Sequence, residues 1–420
     1  MASEHQEPWQ ALSQCLRFPD SHRELWWHRI APTIGCALRR TNNSVESQLR
    51  HLLLIHTAVT PFLGPYPGEN STRKSTWRSC IAGGDGAPMD VSVNYQQESK
   101  RTFRMNFEPI GAHAGMDDDP LNQHAARDVL SRLSQLQPGI DLTWYFQLEE
   151  QMILRSDSVS QYADTLLQFS DKTQVLFGLD LSEESVVVKA YFFPLIRATV
   201  TGADWMSIMF DSVRTLSGFT EGVHIELGAA ENYLRSIRSN LLPEHSEVGF
   251  DCIGPAQSRI KIYAARKISS VKALYDFYTF GHYLQGSSIE RGFEIISSSW
   301  HAIYSKPLPN GKPRTHLQIH CNWEVSATSP VLAPKVYFLV AEELDAHVSS
   351  ALADLFHELG WHENAESHES LTKEAYPAYD PQASTGIYTW LAFAYSETSG
   401  PYVTVYFKPP ALADDAKRSL

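Results

Sequence analysis

Apolar residues follow two periodicities along this 420-residue chain. Near its start they recur at helical spacing, as Leu49, Leu52 and Ile55 do between residues 44 and 58, so residues 1–60 are predicted to be helical. From Met89 onward, apolar and polar residues alternate in short runs. Because successive side chains of a strand point to opposite faces, these runs predict β-strands.

Helical and strand-like segments alternate along the rest of the chain, and a glycine-rich turn at 83–86 precedes the first strand. The predicted strands are 89–95, 102–107, 174–180, 186–193, 248–252, 259–264, 317–323, 335–340, 386–396 and 402–407. The predicted helices are 125–136, 159–169, 205–217, 229–242, 271–279, 292–304 and 345–359. Asp119 and Pro120 have the signature of an N-cap followed by the first helical residue, which predicts the start of the first of these helices.

Antiparallel hairpins separated by helices predict an α+β protein with the helices on one side of the sheet. Closing the sheet removes its exposed edges and gives a barrel of about ten strands, lined by every second residue. The length alone favours two or three domains, but no low-complexity linker divides the chain. We therefore predict one domain, residues 1–420, built from five repeats.

Several strands place a cation and a tyrosine, or two tyrosines, on one face. The pairs are Lys189 with Tyr191, Lys261 with Tyr263, Lys335 with Tyr337, and Tyr402 with Tyr406. One such run is also typical of a solvent-exposed strand face. The recurrence at intervals of roughly 70 to 85 residues instead favours convergence on one interior.

Composition narrows the classes of partner. A net charge of −13 argues against nucleic acid or an anionic membrane as a partner. The chain has no basic and apolar leader and no run of about 18 apolar residues, so we expect a cytoplasmic protein without a membrane span. The five cysteines, Cys15, Cys36, Cys80, Cys252 and Cys321, form no CxxC motif, which fits a reducing compartment.

Other candidate motifs are weak. The carboxylates at 117–119 resemble a magnesium-binding cluster, but their place before Pro120 favours helix capping. His357, His362 and His368 lack the HExxH spacing of zinc ligands, and we expect a solvated cluster. Walker, GxGxxG and GxSxG motifs are absent from the sequence, which argues against nucleotide hydrolysis, Rossmann redox chemistry and serine hydrolysis.

The candidate lumen side chains suit one kind of chemistry. The cations are Arg104, Lys189, Arg259, Lys261 and Lys335, and the aromatic residues are Tyr191, Tyr263, Tyr337, Tyr402 and Tyr406. Lysine and arginine can neutralise a diphosphate without a metal ion. Tyrosine faces can stabilise a carbocation. Together they suit the ionisation of an allylic diphosphate.

The chain resembles the fungal aromatic prenyltransferases of the dimethylallyltryptophan synthase family over nearly its whole length. The matching segments include 62–65, 88–94, 103–110, 188–194, 258–263, 334–337 and 400–406. The resemblance implies an αββα (ABBA) barrel enclosed by helices. It also implies an enzyme of secondary metabolism that prenylates an aromatic ring by electrophilic substitution.

The resemblance further implies roles for individual residues. The five cations become diphosphate ligands, and the five tyrosines shield the prenyl chain. Asp90 becomes the catalytic carboxylate that accepts a hydrogen bond from the aromatic substrate, beside Ile81 and Ala82. No metal or other cofactor is implied; dimethylallyl diphosphate is the co-substrate. The expected partners are this diphosphate and an aromatic small molecule, and the expected assembly is a monomer or homodimer.

Two departures from the family bear on the acceptor. The family usually has glutamate at the position of Asp90, and strand 174–179 lacks the lysine of members that prenylate C4 of tryptophan. The family's arginine for the tryptophan carboxylate falls near Ser246. These departures favour an indole diterpene, a cyclic dipeptide or a phenolic polyketide over free tryptophan. Dimethylallyl or geranyl transfer to a phenol and a non-catalytic binding protein remain the alternatives.

Overall fold

The computed structural model describes residues 6–67, 76–82, 86–155, 159, 161–304, 306, 308–309, 311 and 314–410. Of the expected glycine-rich turn at 83–86, only Gly86 lies among them. No helix in these ranges is long and apolar enough to cross a membrane.

Ten antiparallel strands form a closed barrel, because β1 pairs with both β2 and the last strand. The strands are β1 (Met89–Tyr95), β2 (Arg101–Phe107), β3 (Val175–Leu181), β4 (Val186–Phe192), β5 (Glu247–Asp251), β6 (Arg259–Ile268), β7 (Leu317–Ser326), β8 (Ala333–Leu339), β9 (Tyr388–Ser396) and β10 (Gly400–Phe407). The predicted barrel is thus confirmed. Its hairpins follow chain order, while the division of residues 1–420 into five αββα-like repeats of one domain stays a prediction.

Helices surround the barrel and pack their apolar sides on its outer face. They are α1 (Pro8–Cys15), α2 (Ser21–Arg40), α3 (Val45–Ala58), α4 (Gln123–Leu136), α5 (Thr143–Met152), α6 (Ala163–Leu166), α7 (Leu195–Thr201), α8 (Trp205–Arg214), α9 (Glu221–Ser236), α10 (Val271–Tyr278), α11 (Ser287–Tyr304), α12 (Asp345–Glu358) and α13 (His362–Ala375). The main core therefore lies between helices and strands, which leaves the lumen to polar and aromatic side chains.

Strand alternation separates the core from the lumen. On β6, Ile260 and Ile262 are fully buried in the helix-facing core, whereas Arg259, Lys261 and Tyr263 line the lumen. The apolar side chains of such a strand contribute roughly 1.5–3 kcal/mol each on burial. They anchor the strand, and the alternation then directs its polar residues inward.

Three helix predictions were wrong in extent, and one of them is the helix expected at 229–242, which is α9, Glu221–Ser236. Helix α6 has four residues instead of the expected 159–169. Only Leu166 of this helix is buried, in a small cluster separate from the main core, and Leu167 is exposed, so little packing is available to stabilise a longer helix. Helix α4 begins at Gln123 rather than at Pro120. Asp119 still caps it, since the Gln123 N–H donates to Asp119 Oδ1 at 2.7 Å. Helices α5, α7 and α13 were not predicted.

The expected solvated histidine cluster was also wrong in part. His357 and His362 are exposed, but His368 is buried on α13 between the hydroxyls of Tyr95 and Tyr388, at 3.0 and 3.1 Å. Burial lowers the pKa of His368 to about 4. Because α13 continues the chain as a helix, this histidine is turned towards the barrel wall and has a structural role.

Candidate active site

The lumen contains two connected cavities that share a layer of aromatic side chains. The cationic compartment has a volume of about 250 Å³, and the acidic compartment, which carries Asp90, Glu244 and Glu247, has about 410 Å³. Both are lined by Asn106 and by four tyrosines, which we call the tyrosine layer: Tyr191, Tyr263, Tyr337 and Tyr406.

Strand β5 shows how the barrel builds these levels from alternate residues. Asp251 lies beside the cations, Gly249 lies at the tyrosine layer, and Glu247 lines the acidic compartment. A Cβ atom on Gly249 would lie 2.9 Å from the ring of Tyr191 and 3.2 Å from that of Tyr263. Glycine is therefore needed here because the two rings occupy the space of a side chain.

All five predicted cations line the cationic compartment: Arg104, Lys189, Arg259, Lys261 and Lys335. Carboxylates on neighbouring strands fix several of them. Asp180 Oδ2 lies 2.5 Å from Lys189 Nζ and 3.1 Å from Arg104 Nη2. Arg259 is held between Asp251 and Glu324 at 2.7 and 3.0 Å. The cations are thereby oriented before any ligand enters.

Basic side chains outnumber acidic ones in this compartment. Five cations face three carboxylates, Asp180, Asp251 and Glu324. Burial lowers the pKa of Lys189 to about 7, and burial together with Arg104 and Lys261 holds the pKa of Lys335 well below its usual range. Burial opposes ionisation of Asp180, but Arg104 and Lys189 outweigh it and hold its pKa low. An anion that entered would relieve this repulsion.

The tyrosine layer forms a continuous aromatic wall. Neighbouring ring centroids are 6.0 Å apart for Tyr191 and Tyr263, 6.0 Å for Tyr263 and Tyr337, and 6.2 Å for Tyr337 and Tyr406. Burial raises the pKa of all four phenols, so they stay neutral. Such faces can stabilise a cation without quenching it, because a neutral phenol is a weak nucleophile.

Tyr402, which the resemblance groups with these shields, lies on the cationic side. Its ring is 4.7 Å from Lys335 Nζ and 5.5 Å from Arg104 Cζ. Lys335 also donates to Thr404 Oγ1 at 3.0 Å. Tyr402 is therefore placed to hold two cations in position.

Asp90 lines the acidic compartment together with Ile81 and Ala82. Asn106 Nδ2 donates to Asp90 Oδ1 at 2.9 Å. Burial raises the pKa of Asp90 to about 6, against the opposing charge of Lys408. The carboxylate is thus mostly ionised at neutral pH and has a fixed orientation.

The buried Glu108 helps to hold residues 76–82, which contribute Ile81 and Ala82 to the wall of the acidic compartment. Trp77 Nε1 donates to Glu108 Oε1 at 2.8 Å, and Thr173 Oγ1 donates to Oε2 at 2.7 Å. Lys408 Nζ donates to the carbonyl of Ile81 at 2.6 Å. These contacts attach residues 76–82 to the barrel through Glu108 and Lys408.

Sequence reasoning missed several lining residues. Those of the acidic compartment include Asn106, His245, Glu247, His320, Trp390 and Lys408. Lys408 follows Tyr406 by two positions, so the strand alternation could have indicated it. Glu247 lies two residues before Gly249 and on the same face of β5, but the predicted strand began at residue 248, so the alternation was not extended to it.

The chain matches the family model described as tryptophan dimethylallyltransferase over residues 22–370. It is 30% identical to tryptophan dimethylallyltransferase 1 of Epichloe coenophiala, over 96% of this chain and 92% of the relative. It is 29% identical to the indole diterpene prenyltransferase anaPT of Neosartorya fischeri, over 97% of this chain and 92% of the relative.

Solved structures agree with these sequence matches. The crystal structure of AnaPT from Neosartorya fischeri matches with a TM-score of 0.86 and 28% identity, over 97% of this chain and 98% of that one. NotF in complex with brevianamide F and DMSPP matches with a TM-score of 0.85 and 26% identity, over 97% and 99%. The fold and lumen thus define an enzyme of the αββα prenyltransferase class. More narrowly, the chain belongs to the tryptophan dimethylallyltransferase family.

Proposed function

We propose that this enzyme transfers a dimethylallyl group from dimethylallyl diphosphate to an indole-containing secondary metabolite. The observation that carries this proposal is the order of the lumen: a cation cluster, a tyrosine layer and a compartment with an ionised carboxylate. The relatives named as tryptophan and indole diterpene prenyltransferases support the same reaction and acceptor class.

In the first step, the cationic compartment binds the diphosphate. Arg104, Lys189, Arg259, Lys261 and Lys335 are the proposed ligands. Their charge-assisted hydrogen bonds stabilise the negative charge that develops as the allylic C–O bond breaks and the electron pair leaves with the diphosphate. Since an anion offsets the mutual repulsion of Lys189 and Lys335, donor binding also favours their charged forms.

In the second step, the tyrosine layer shields the dimethylallyl cation. The four rings lie between the diphosphate site and the acidic compartment, so the cation meets aromatic faces on its way to the acceptor. Their electron-rich faces stabilise it, and their packing keeps water from capturing it.

In the third step, an indole in the acidic compartment captures the cation. Asp90 accepts a hydrogen bond from the ring N–H and so increases electron density at the attacking carbon. A C–C bond forms between that carbon and the prenyl group, and the ring then gives up the proton of that carbon to solvent and recovers its aromaticity. We propose that the protein cations replace a divalent metal throughout. The described residues contain no group of three or more histidine, cysteine or acidic side chains able to hold one.

A phenolic acceptor is the second candidate, because Asp90 can accept an O–H as well as an N–H hydrogen bond. The test is incubation with dimethylallyl and geranyl diphosphates and a panel of indoles and phenols, with products read by mass. We expect a mass increase of one dimethylallyl group on indoles. Prenylation of phenols alone would exclude the indole acceptor, and the absence of any product or diphosphate release would favour a binding protein.

A cytoplasmic location and a monomer or homodimer remain part of the proposal.

A further inference from the structure

The acidic compartment has an unusual balance of charge for a site that holds a small molecule. Its lining includes the carboxylates of Asp90, Glu244 and Glu247 but a single ammonium, that of Lys408. Lys408 Nζ donates to main-chain carbonyls, at 2.6 Å to Ile81 and 3.1 Å to Met89. Among the described lining residues no other lysine or arginine is present. The ammonium is thus committed to the cavity wall.

The histidines of the compartment do not correct this imbalance. Burial lowers the pKa of His245, and it lowers the pKa of His320 well below the usual range. The two rings are 5.0 Å apart, so protonation of one disfavours protonation of the other. Both are therefore neutral near pH 7. Among the described lining residues, a ligand carboxylate would meet three acidic side chains and no available cation to replace its lost hydration.

Glu247 is the carboxylate whose environment is least satisfied. It begins β5, pairs with Tyr263 of the tyrosine layer and lines the cavity. Burial is the only cause that shifts its pKa, which rises to about 8. Asp90, by contrast, has both Asn106 and Lys408 to favour its charge. Among the described residues, Glu247 therefore lacks a positive partner, which a ligand could supply.

The two carboxylates can bind different ends of one molecule. Asp90 lies on β1 and Glu247 on β5, and these strands are separated by three strands in one direction around the barrel and by five in the other. They thus face each other across the lumen. A cavity of about 410 Å³ accommodates an indole with a short substituent between them.

We propose that the acceptor carries a protonated amine and no carboxylate, and that Glu247 binds this amine while Asp90 binds the ring N–H. This inference rests on the proposed function only in naming the ring an indole. A neutral substituent, such as an amide carbonyl, could accept a hydrogen bond from a protonated Glu247. Only an ammonium group, however, would favour the charged form of Glu247 by supplying the positive partner that it lacks among the described residues.

The test compares three indoles that differ only at the end of the side chain: tryptamine, 3-propylindole and indole-3-propionate. Binding is measured by calorimetry with inorganic diphosphate saturating the donor site, and turnover is measured separately with dimethylallyl diphosphate. We expect tryptamine to bind roughly tenfold or more tightly than 3-propylindole, as for a charge-assisted hydrogen bond, and indole-3-propionate to bind most weakly.

Glu247→Gln keeps the shape of the side chain and removes its charge. We expect it to abolish the advantage of tryptamine while leaving 3-propylindole binding unchanged. The matched control is Glu342→Gln, an exposed glutamate that follows the lining residue Ala341 and should change neither affinity. Thermal unfolding shows whether the variant is folded; if it is not, the ranking of the three ligands by the unaltered enzyme decides alone.

The outcomes separate the two proposals. Equal binding of tryptamine and 3-propylindole, or an amine advantage that persists in Glu247→Gln, would overturn the role of Glu247. Prenylation of these indoles without an amine preference would leave the proposed function intact and refute the inference. Amine-selective binding that depends on Glu247, without any product, would support the inference and count against the prenyl transfer.

Discussion

Removal of the Lys189 ammonium should weaken the donor site far more than the acceptor site. Lys189→Met keeps most of the side-chain volume, so it leaves no large cavity in the wall of β4. Asp180 would lose its 2.5 Å contact with Lys189 but keep Arg104 at 3.1 Å. The carboxylate thus remains paired, and we expect the variant to fold.

The size of the effect follows from the lost contact. A buried charge-assisted hydrogen bond contributes about 1.5–3 kcal/mol, which corresponds to about 10- to 150-fold in kcat/KM for the donor. The pKa of Lys189 is about 7 and that of Asp90 about 6 in the empty enzyme. The comparison is therefore best made near pH 6.5, where most Lys189 is charged and most Asp90 is ionised.

The assay measures the steady-state release of diphosphate, first at varied donor and saturating acceptor concentrations and then at varied acceptor and saturating donor concentrations. We expect the KM for the acceptor to stay within about twofold, since Lys189 does not line the acidic compartment. Lys267→Met on β6, an exposed lysine outside both cavities, is the control. Unchanged donor kinetics in Lys189→Met would refute the assignment of this residue to diphosphate binding.

Three further predictions concern Asp90, pH and Gly249. Asp90→Asn should lower the rate of prenylation in product assays by about 10²-fold and leave the donor affinity unchanged, because an amide attracts the ring N–H less strongly than a carboxylate does. Near-normal turnover would remove Asp90 from the mechanism. The kcat/KM for the donor should fall as pH rises above about 7, because Lys189 then loses its proton. The kcat/KM for the acceptor should fall as pH drops below about 6, because Asp90 then gains a proton. Flat pH profiles would contradict both assignments. Gly249→Ala should displace the ring of Tyr191 and lower the ratio of prenylated product to hydrolysed donor. The control Gly228→Ala, which has open space around its Cβ, should leave this ratio unchanged. Equal ratios in the two variants would count against the shielding role of the tyrosine layer.

The parts of this enzyme that depend on local alternation could be predicted from the sequence. Lys189 with Tyr191 and Lys261 with Tyr263 share a face by strand geometry alone, so their convergence on a lumen followed once the sheet was closed. The roles attached to these residues came from the family resemblance, because spacing by itself indicates only an anionic and aromatic site.

The division of the lumen into compartments depends on long-range register, which no local pattern reveals. Tyr402 reads like the other tyrosines, yet the pairing of β10 with β1 and β9 places it beside Arg104 and Lys335. Glu247 is likewise placed by pairing with β6. His368 was misjudged because its burial depends on how α13 packs on the barrel.

The central claim is that a cation released in one compartment is captured in the next without a metal. The most direct measurement is a reaction of dimethylallyl diphosphate with an accepted indole in excess EDTA, with diphosphate, prenylated product and dimethylallyl alcohol quantified together. We expect equal amounts of diphosphate and prenylated product, little alcohol and no effect of added magnesium. A loss of activity above about tenfold, or about 1.4 kcal/mol in the barrier, that magnesium restores would contradict the metal-free mechanism, as would alcohol as the main product.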